Sequence, residues 1–280
     1  MSVLHSITSD KLVRLIGTAH APAIIDVRSA AAFTAHPHLI PSSCRRDAST
    51  VADWSSTVSH RGTVIVCEDG NTASHGVAAW LRHVGIAAES LDGGVEGWRS
   101  GTLPLVPAAR LPQRDSQART IWVTRSRPKV DRIACPWLIR RFVDPSAVIL
   151  YVPASEVLAV AAQTDGAAFD IEGDGVFWSH RGDRCTFDVM IDELCLSGIE
   201  PLKHLATIVR GADTGTLDLV PEAAGLLAVS LGLSRMYADD HEQLAAGMTL
   251  YDALYRWCRD ARDEAHNWTS HKAVKPGARA

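Results

Sequence analysis

Thr63-Val-Ile-Val-Cys67-Glu-Asp-Gly-Asn-Thr-Ala-Ser74 decides how this chain is read. A short β-branched run ends on a cysteine, a polar turn with a glycine follows, and residues 73–81 bring small and apolar side chains back at helical spacing. The order predicts a strand, a tight loop and a helix, with Cys67 at the carboxyl end of the strand. There the sulfur would face the backbone N–H groups of Glu68, Asp69, Gly70, Asn71, Thr72 and Ala73 and the positive end of the helix dipole. Such a cradle suits a nucleophilic sulfur. The same window also reads as a half-buried cysteine that acts only as a small hydrophobe.

Three flanking stretches add context. Ala23-Ile-Ile-Asp-Val-Arg28 reads as a buried strand ending in charge, His36-Pro-His-Leu-Ile-Pro41 as a turn, and Leu91-Asp-Gly-Gly-Val-Glu-Gly-Trp98 as a strand running into a glycine turn. In this order the segments resemble a rhodanese (sulfurtransferase) domain: Asp26-Val27-Arg28 matches its Asp-Val-Arg, Cys67 with Gly70 its cysteine loop, and Leu91 to Trp98 its Leu-x-Gly-Gly-x-x-x-Trp. The resemblance implies a parallel sheet with flanking helices and a Cys67 that carries sulfur as a persulfide. Residues 68–73 would then cradle the persulfide, while Asp26 and Arg28 orient the loop from behind or form a structural ion pair. It also implies a small-molecule or protein sulfur donor, a thiol acceptor, and no cofactor for the transfer step. One departure stands out. Many members have a basic residue five positions after the cysteine; this chain has Thr72 there, with Glu68 and Asp69 in the loop, and two carboxylates would repel thiosulfate.

At 280 residues the chain has room for two domains with cores of their own. A formal net charge of −4 offers nucleic acid no general attraction, so no nucleic-acid partner is expected. No apolar run reaches membrane-spanning length, since residues 223–233 are too few and broken by glycines, and Met1-Ser-Val-Leu-His lacks the marks of a secretory leader. The six cysteines show no dense pairing and no Cys-x-x-Cys, which fits reduced thiols in a cytoplasm and no membrane partner.

The reading divides the chain into a rhodanese-like unit at 1–107, a Pro-, Arg-, Gln- and Ser-bearing linker at 108–118, a second unit at 119–268 and a flexible tail at 269–280. In the first unit helices are expected at 11–17, 29–35 and 51–57 and strands at 23–27, 63–66 and 88–91. Strands alternating with helices imply a mainly parallel sheet with its ligand site at the strands' carboxyl ends. The second unit reads as mainly helical α+β: strands at 120–124, 147–152 and 168–171, helices at 155–162, 186–196, 201–209 and 221–233, and a long helix at 239–265 broken near Gly247.

Polar residues cluster unusually in the second unit. Asp131 and Arg132 precede Cys135, His180-Arg-Gly-Asp-Arg-Cys185-Thr-Phe-Asp188 sets a cysteine and an aspartate one helical turn apart, and Arg210-Gly-Ala-Asp213 ends a helix. His, Cys and Asp are the side chains from which divalent metal sites are built, so His180, Cys185, Asp188 and Asp131 form a candidate metal set. Core thiols, turn-bonding aspartates and structural ion pairs are the alternative reading. Arg125, Arg127, Lys129 and Arg132 form a basic run suited to an oxyanion, or a solvated face.

Residues 124–142, His180 to Asp188, Ile208-Val-Arg-Gly-Ala-Asp213 and Leu231-Gly-Leu-Ser-Arg235 resemble the C-terminal domain of bacterial chromate-resistance (ChrB-type) proteins. That resemblance implies a role in tolerance of chromate or a related oxyanion or metal stress. Regulators of that family carry a different leading domain, proposed to bind DNA; here the rhodanese-like unit takes its place. Two readings follow: a sulfurtransferase linked to chromate resistance, or a non-catalytic metal or oxyanion sensor using the rhodanese fold as an interaction module.

Overall fold

The computed structural model of the chain describes residues 5–58, 62–173 and 175–264. Its first half runs β1 (Ser6–Ile7), α1 (Ser9–Leu15), β2 (Ala23–Asp26), α2 (Ala30–Ala35), β3 (His38–Leu39), β4 (Ser43–Arg45), α3 (Val51–Trp54), β5 (Thr63–Val66), α4 (Thr72–His83), β6 (Ala88–Leu91), α5 (Gly94–Ser100) and β7 (Val106–Pro107). Five of these strands form one sheet in the order β1-β6-β5-β2-β4, every neighbouring pair parallel. β3 and β7 make a separate antiparallel pair.

Strand periodicity explains how the sheet is covered. Ile24, Val64 and Val66 point to the face that holds Leu12, Val95 and Trp98 of α1 and α5. Ile25, Ile65 and Cys67 point to the other, against Trp54 of α3 and Val77, Ala78 and Leu81 of α4. Because both faces are covered, β5 is buried along its whole length, as its unbroken apolar run requires. Cys67 follows β5 directly, at the carboxyl end of the sheet's middle strand.

The second half runs β8 (Ile121–Arg125), α6 (Asp131–Leu138), β9 (Val148–Val152), α7 (Val157–Gln163), β10 (Ala167–Ala168), α8 (Thr186–Glu193), α9 (Glu200–Asp213), α10 (Glu222–Met236) and α11 (Asp240–Asp260). A three-stranded parallel sheet, β10-β8-β9, carries the helices. Pro136 lies inside α6 and has no N–H to give the carbonyl of Arg132; Tyr151 of β9 donates to that oxygen instead, at 2.9 Å. After Leu138 the helix widens into a π turn, Ile139–Val143.

The two halves touch. One apolar cluster runs from Leu12, Ile16 and Trp98 to Trp122, Trp137, Phe142 and Tyr255. Gly17 has φ +80°, and a Cβ there would lie 2.3 Å from the ring of Phe142. Ser42 N donates to Phe142 O at 2.7 Å. Within residues 108–118, Arg114 bridges the halves, pairing with Asp144 at 3.0 Å and donating to Ser43 O at 3.4 Å.

Several elements differ from expectation. Residues 239–265 are not broken near Gly247: α11 is continuous over Asp240–Asp260, and the glycine serves packing, since a Cβ there would lie 2.4 Å from Ile133 Cγ2 of α6. The strand expected at 168–171 ends at Ala168, and Asp170 takes φ +50°, turning the chain away. The helix expected at 186–196 ends at Glu193, and the one expected at 201–209 continues to Asp213. The tail at 269–280 lies outside the described residues.

Candidate functional site

The loop after Cys67 is held backbone to backbone. The first turn of α5 donates to it, Val95 N to Cys67 O at 3.0 Å and Glu96 N to Glu68 O at 2.9 Å. Gly94 (φ +56°) makes this approach possible, because a Cβ there would fall 2.4 Å from Cys67 O; a Cβ on Gly70 (φ +75°) would likewise fall 2.6 Å from Gly93 N and 2.7 Å from Gly94 N.

Cys67 is buried, 3% exposed. Its thiol lies 3.3 Å from Asp69 Oδ1 and 3.2 Å from Ser74 Oγ, and Ser74 Oγ in turn donates to Asn71 O at 3.0 Å. The amide cradle expected around it is therefore replaced, among the described residues, by a carboxylate and a hydroxyl. The cause is local: Asp69 folds back and takes the Asn71 N–H on Oδ1 at 3.1 Å, an Asx-type turn that diverts the amide from the sulfur. Bonds from Asn71, then from Cys67, hold the Asp69 carboxyl below the usual range. Thr72, Ala73 and His75 are exposed at the start of α4.

Asp26 and Arg28 meet as a buried pair, Arg28 Nη2 to Asp26 Oδ2 at 2.6 Å. Arg28 also donates to the carbonyls of His36 and His38 and stands 3.7 Å from Glu68 Oε2 of the cysteine loop. It thus ties strand end, turn and loop together. Two residues not singled out in the sequence, Arg45 and Arg46, line a cavity of about 550 Å³ that reaches Ala73. Arg45 Nε is buried without a partner.

A second polar cluster lies at the carboxyl ends of β8 and β10, where a parallel sheet gathers its ligand-binding loops. Asp131 opens α6, Asp170 follows β10, His180 precedes α8 and Asp213 closes α9. His180 Nε2 stands 3.2 Å from Asp213 Oδ2, 3.4 Å from Asp170 Oδ1 and 3.6 Å from Asp131 Oδ2. Asp131 is wholly buried; its Oδ2 accepts from Phe187 N at 3.2 Å, and its Oδ1 has no partner. Val130 before it takes φ +23°, a costly conformation for a β-branched residue. Burial, then the charges of Asp213 and Asp170, push the Asp131 carboxyl well up. Burial also raises Asp170, but bonds from His180 and Thr186 outweigh it and leave that carboxyl low. Bonds to Asp170 and Asp213 push His180 up to about 10.

Of the candidate set, the structure brings His180 and Asp131 together and adds Asp170 and Asp213. Cys185 borders Asp131, but burial raises its thiol, which stays neutral. Asp188 turns away: its Oδ2 accepts from Cys185 N at 3.2 Å at the start of α8, and its Oδ1 faces Arg210 at 3.5 Å. The shared helix face expected for Cys185 and Asp188 is in fact one half of a capping arrangement. Asp170 lay within the strand expected at 168–171 and was not singled out, and Asp213 read as a turn-bonding residue. The basic run is largely committed: Arg127 binds Asp240 and the carbonyls of Ser234 and Tyr237, and Arg132 Nε lies 3.3 Å from Asp170.

The raised His180 gives a pH prediction for chelator-treated protein. A folded value near 10 against 6.5 means that its charge stabilises the fold fully below pH 6.5 and that this contribution is lost as pH rises through 10. Asp131, also raised, acts with the same sign: its proton is retained longer in the folded state, and stability is lost as that proton leaves. The melting temperature should fall between pH 7 and 10, and fall less in His180→Gln; equal slopes would contradict the assignment.

Residues 8–101 match the family model of the rhodanese-like domain, and residues 122–258 match that of the ChrB C-terminal domain. The chain therefore carries a rhodanese-like domain followed by a ChrB C-terminal domain. Protein ChrB of Cupriavidus metallidurans is 34% identical over 151 residues, 53% of this chain and 44% of that protein, so the match spans less than half of that relative. A rhodanese-related protein of Thermoplasma volcanium aligns at 20% identity over 36% of this chain and 97% of its own, with a TM-score of 0.33. A rhodanese-like domain protein of Staphylococcus aureus aligns at 27% over 34% and 91%, with a TM-score of 0.31. No helix among the described residues is long and apolar enough to cross a membrane.

Proposed function

We propose that Cys67 takes sulfane sulfur from a donor and passes it to a thiol, in a cytoplasmic protein whose second domain, by its likeness to ChrB, links this chemistry to tolerance of chromate or a related oxyanion. The observation that carries the reading is the Cys67 thiol at the end of β5, hydrogen-bonded to Asp69 Oδ1 at 3.3 Å. In the first step the Cys67 sulfur attacks the outer sulfur of a donor persulfide. A new S–S bond forms at Cys67, the donor's S–S bond breaks, and the donor leaves as its thiolate. The Cys67 proton passes to the departing donor thiolate, a stronger base than the Asp69 carboxylate, and Asp69 holds the thiol in place. In the second step an acceptor thiolate attacks the outer sulfur and Cys67 leaves. All six cysteines are free thiols, which fits a reducing compartment.

Glu68 and Asp69 select against small anionic donors, so the preferred donor is a neutral or protein-borne persulfide. Placing a cation in the loop, Thr72→Arg, should raise the rate with thiosulfate on the order of tenfold and leave protein-borne donors little changed. An unaltered thiosulfate rate would refute the role given to loop charge. Transfer to a thiol acceptor tests the function itself. Wild-type protein should turn over with a sulfane donor while Cys67→Ser stays at background, and equal rates would remove Cys67 from the reaction. The acidic loop also favours a second reading, a binding module that keeps the rhodanese shape without turnover; transfer by neither protein with any donor is its signature.

A further inference from the structure

We propose that Asp131, Asp170, His180 and Asp213 bind one divalent cation. Donor atoms about 2.1 Å from a metal stand about 3.0 Å apart at neighbouring octahedral corners and about 3.4 Å apart at tetrahedral ones. The three carboxylate oxygens lie 3.2, 3.4 and 3.6 Å from His180 Nε2, and ligand atoms of Asp131, Asp170 and His180 all fall within 4.8 Å of one another. The four groups come from α6, from the connection between β10 and α8, and from α9, so the fold assembles the cluster; it is no by-product of one acidic stretch.

An independent observation points to a ligand. The Asp131 carboxyl is withdrawn from solvent, yet its Oδ1 has no hydrogen-bond partner, a state that buried polar atoms in native proteins rarely keep. Charge agrees with it. Three carboxylates surround one imidazole, and the nearest other cations are Arg132, 3.3 Å from Asp170, and Arg125, 3.8 Å from the same group. With His180 neutral the three carboxylates outnumber these two guanidiniums by one, and a bound cation takes the place of the imidazole proton.

The donor set narrows the ion. Three hard oxygens with one imidazole suit Mn²⁺ or Fe²⁺; Ca²⁺ and Mg²⁺ favour oxygen alone, and the group of mutually close ligand atoms holds no sulfur for softer ions. The His180 side chain is 42% exposed, so water or an oxyanion can reach the ion from that side, next to Arg125.

Mn²⁺ is the probe. Full-length protein stripped with a chelator should take up one Mn²⁺ per chain, read by loss of the free-ion electron spin resonance signal. Asp131→Asn and His180→Gln should each weaken uptake at least about 100-fold, more than loss of an outer-sphere partner costs, and Asp188→Asn should bind as wild type. Asp131 belongs to the core and its variant can be lost to misfolding; the half-exposed His180 supplies the variant whose near-ultraviolet circular dichroism should match wild type. No uptake of Mn²⁺, Fe²⁺ or Zn²⁺ by wild-type protein, or undiminished uptake by folded His180→Gln, would overturn the assignment.

Discussion

Arg28→Met should lower the stability of the folded chain by about 3–5 kcal/mol, the cost of stranding a buried charge. Arg28 is 4% exposed, and its guanidinium spends its donors inside the protein: Nε on both Asp26 oxygens at 3.1 and 3.0 Å, Nη2 on Asp26 Oδ2 and His38 O, Nη1 on His36 O. Methionine keeps much of the stem and removes every one of these bonds. Asp26 loses its counter-charge on an inner strand of the sheet, and His38 O loses the donor that Arg28 supplied. Removing the acid as well, Asp26→Leu with Arg28→Met, should recover most of the loss, since an apolar pair no longer carries an uncompensated charge. The shift of the urea midpoint across the four proteins of the cycle measures it. A single variant within about 0.5 kcal/mol of wild type, the range of ordinary surface changes, would show that the pair does not hold strand, turn and loop together.

Gly94→Ala should act on both stability and transfer. The residue has φ +56°, and the new Cβ would meet Cys67 O at 2.4 Å, Gly70 N at 2.5 Å and Glu68 O at 2.6 Å, all backbone atoms that cannot swing aside. Left-handed strain and overpacking each cost about 1–3 kcal/mol, so about 2–6 kcal/mol is expected together. If the loop yields instead, Cys67 moves with it, and a displacement of about 1 Å at a reacting atom costs on the order of 100-fold in rate. Stability and sulfur transfer both unchanged would contradict the packing described for the loop.

Much of the first domain could be read from local pattern. β5 and β6 have the bounds their β-branched and alternating residues predicted, and Asp239 caps α11 as its type suggests, accepting from His241 N and Glu242 N. The paired glycines after Leu91 were legible as a turn, but their purpose, letting α5 reach the cysteine loop, depends on a contact across the fold. The same limit explains Gly247: as a helix breaker it read as an interruption, whereas α6 needs the space of its missing side chain. Asp69 shows the limit at short range, because turn propensity marked the loop without saying that the carboxylate would take the amide expected to face the sulfur.

The second cluster was half legible. His180 and Asp131 stood out as ligand-type side chains in the polar stretches before Cys185 and Cys135. Asp170 and Asp213 did not, since each has an ordinary local role and only the parallel sheet's geometry brings them to His180. Cys185 and Asp188 were drawn into the set by their i, i+3 spacing, which also describes a helix N-terminus.

The central claim is that Cys67 carries the sulfur, and mass spectrometry of the protein after incubation with a protein-borne or low-charge sulfane donor tests it most directly. The account predicts one added sulfur atom, located on the peptide that contains Cys67, removed by a thiol acceptor and missing from Cys67→Ser. An unmodified Cys67 with every donor, or the added sulfur on Cys44 or Cys195 in its place, would contradict it.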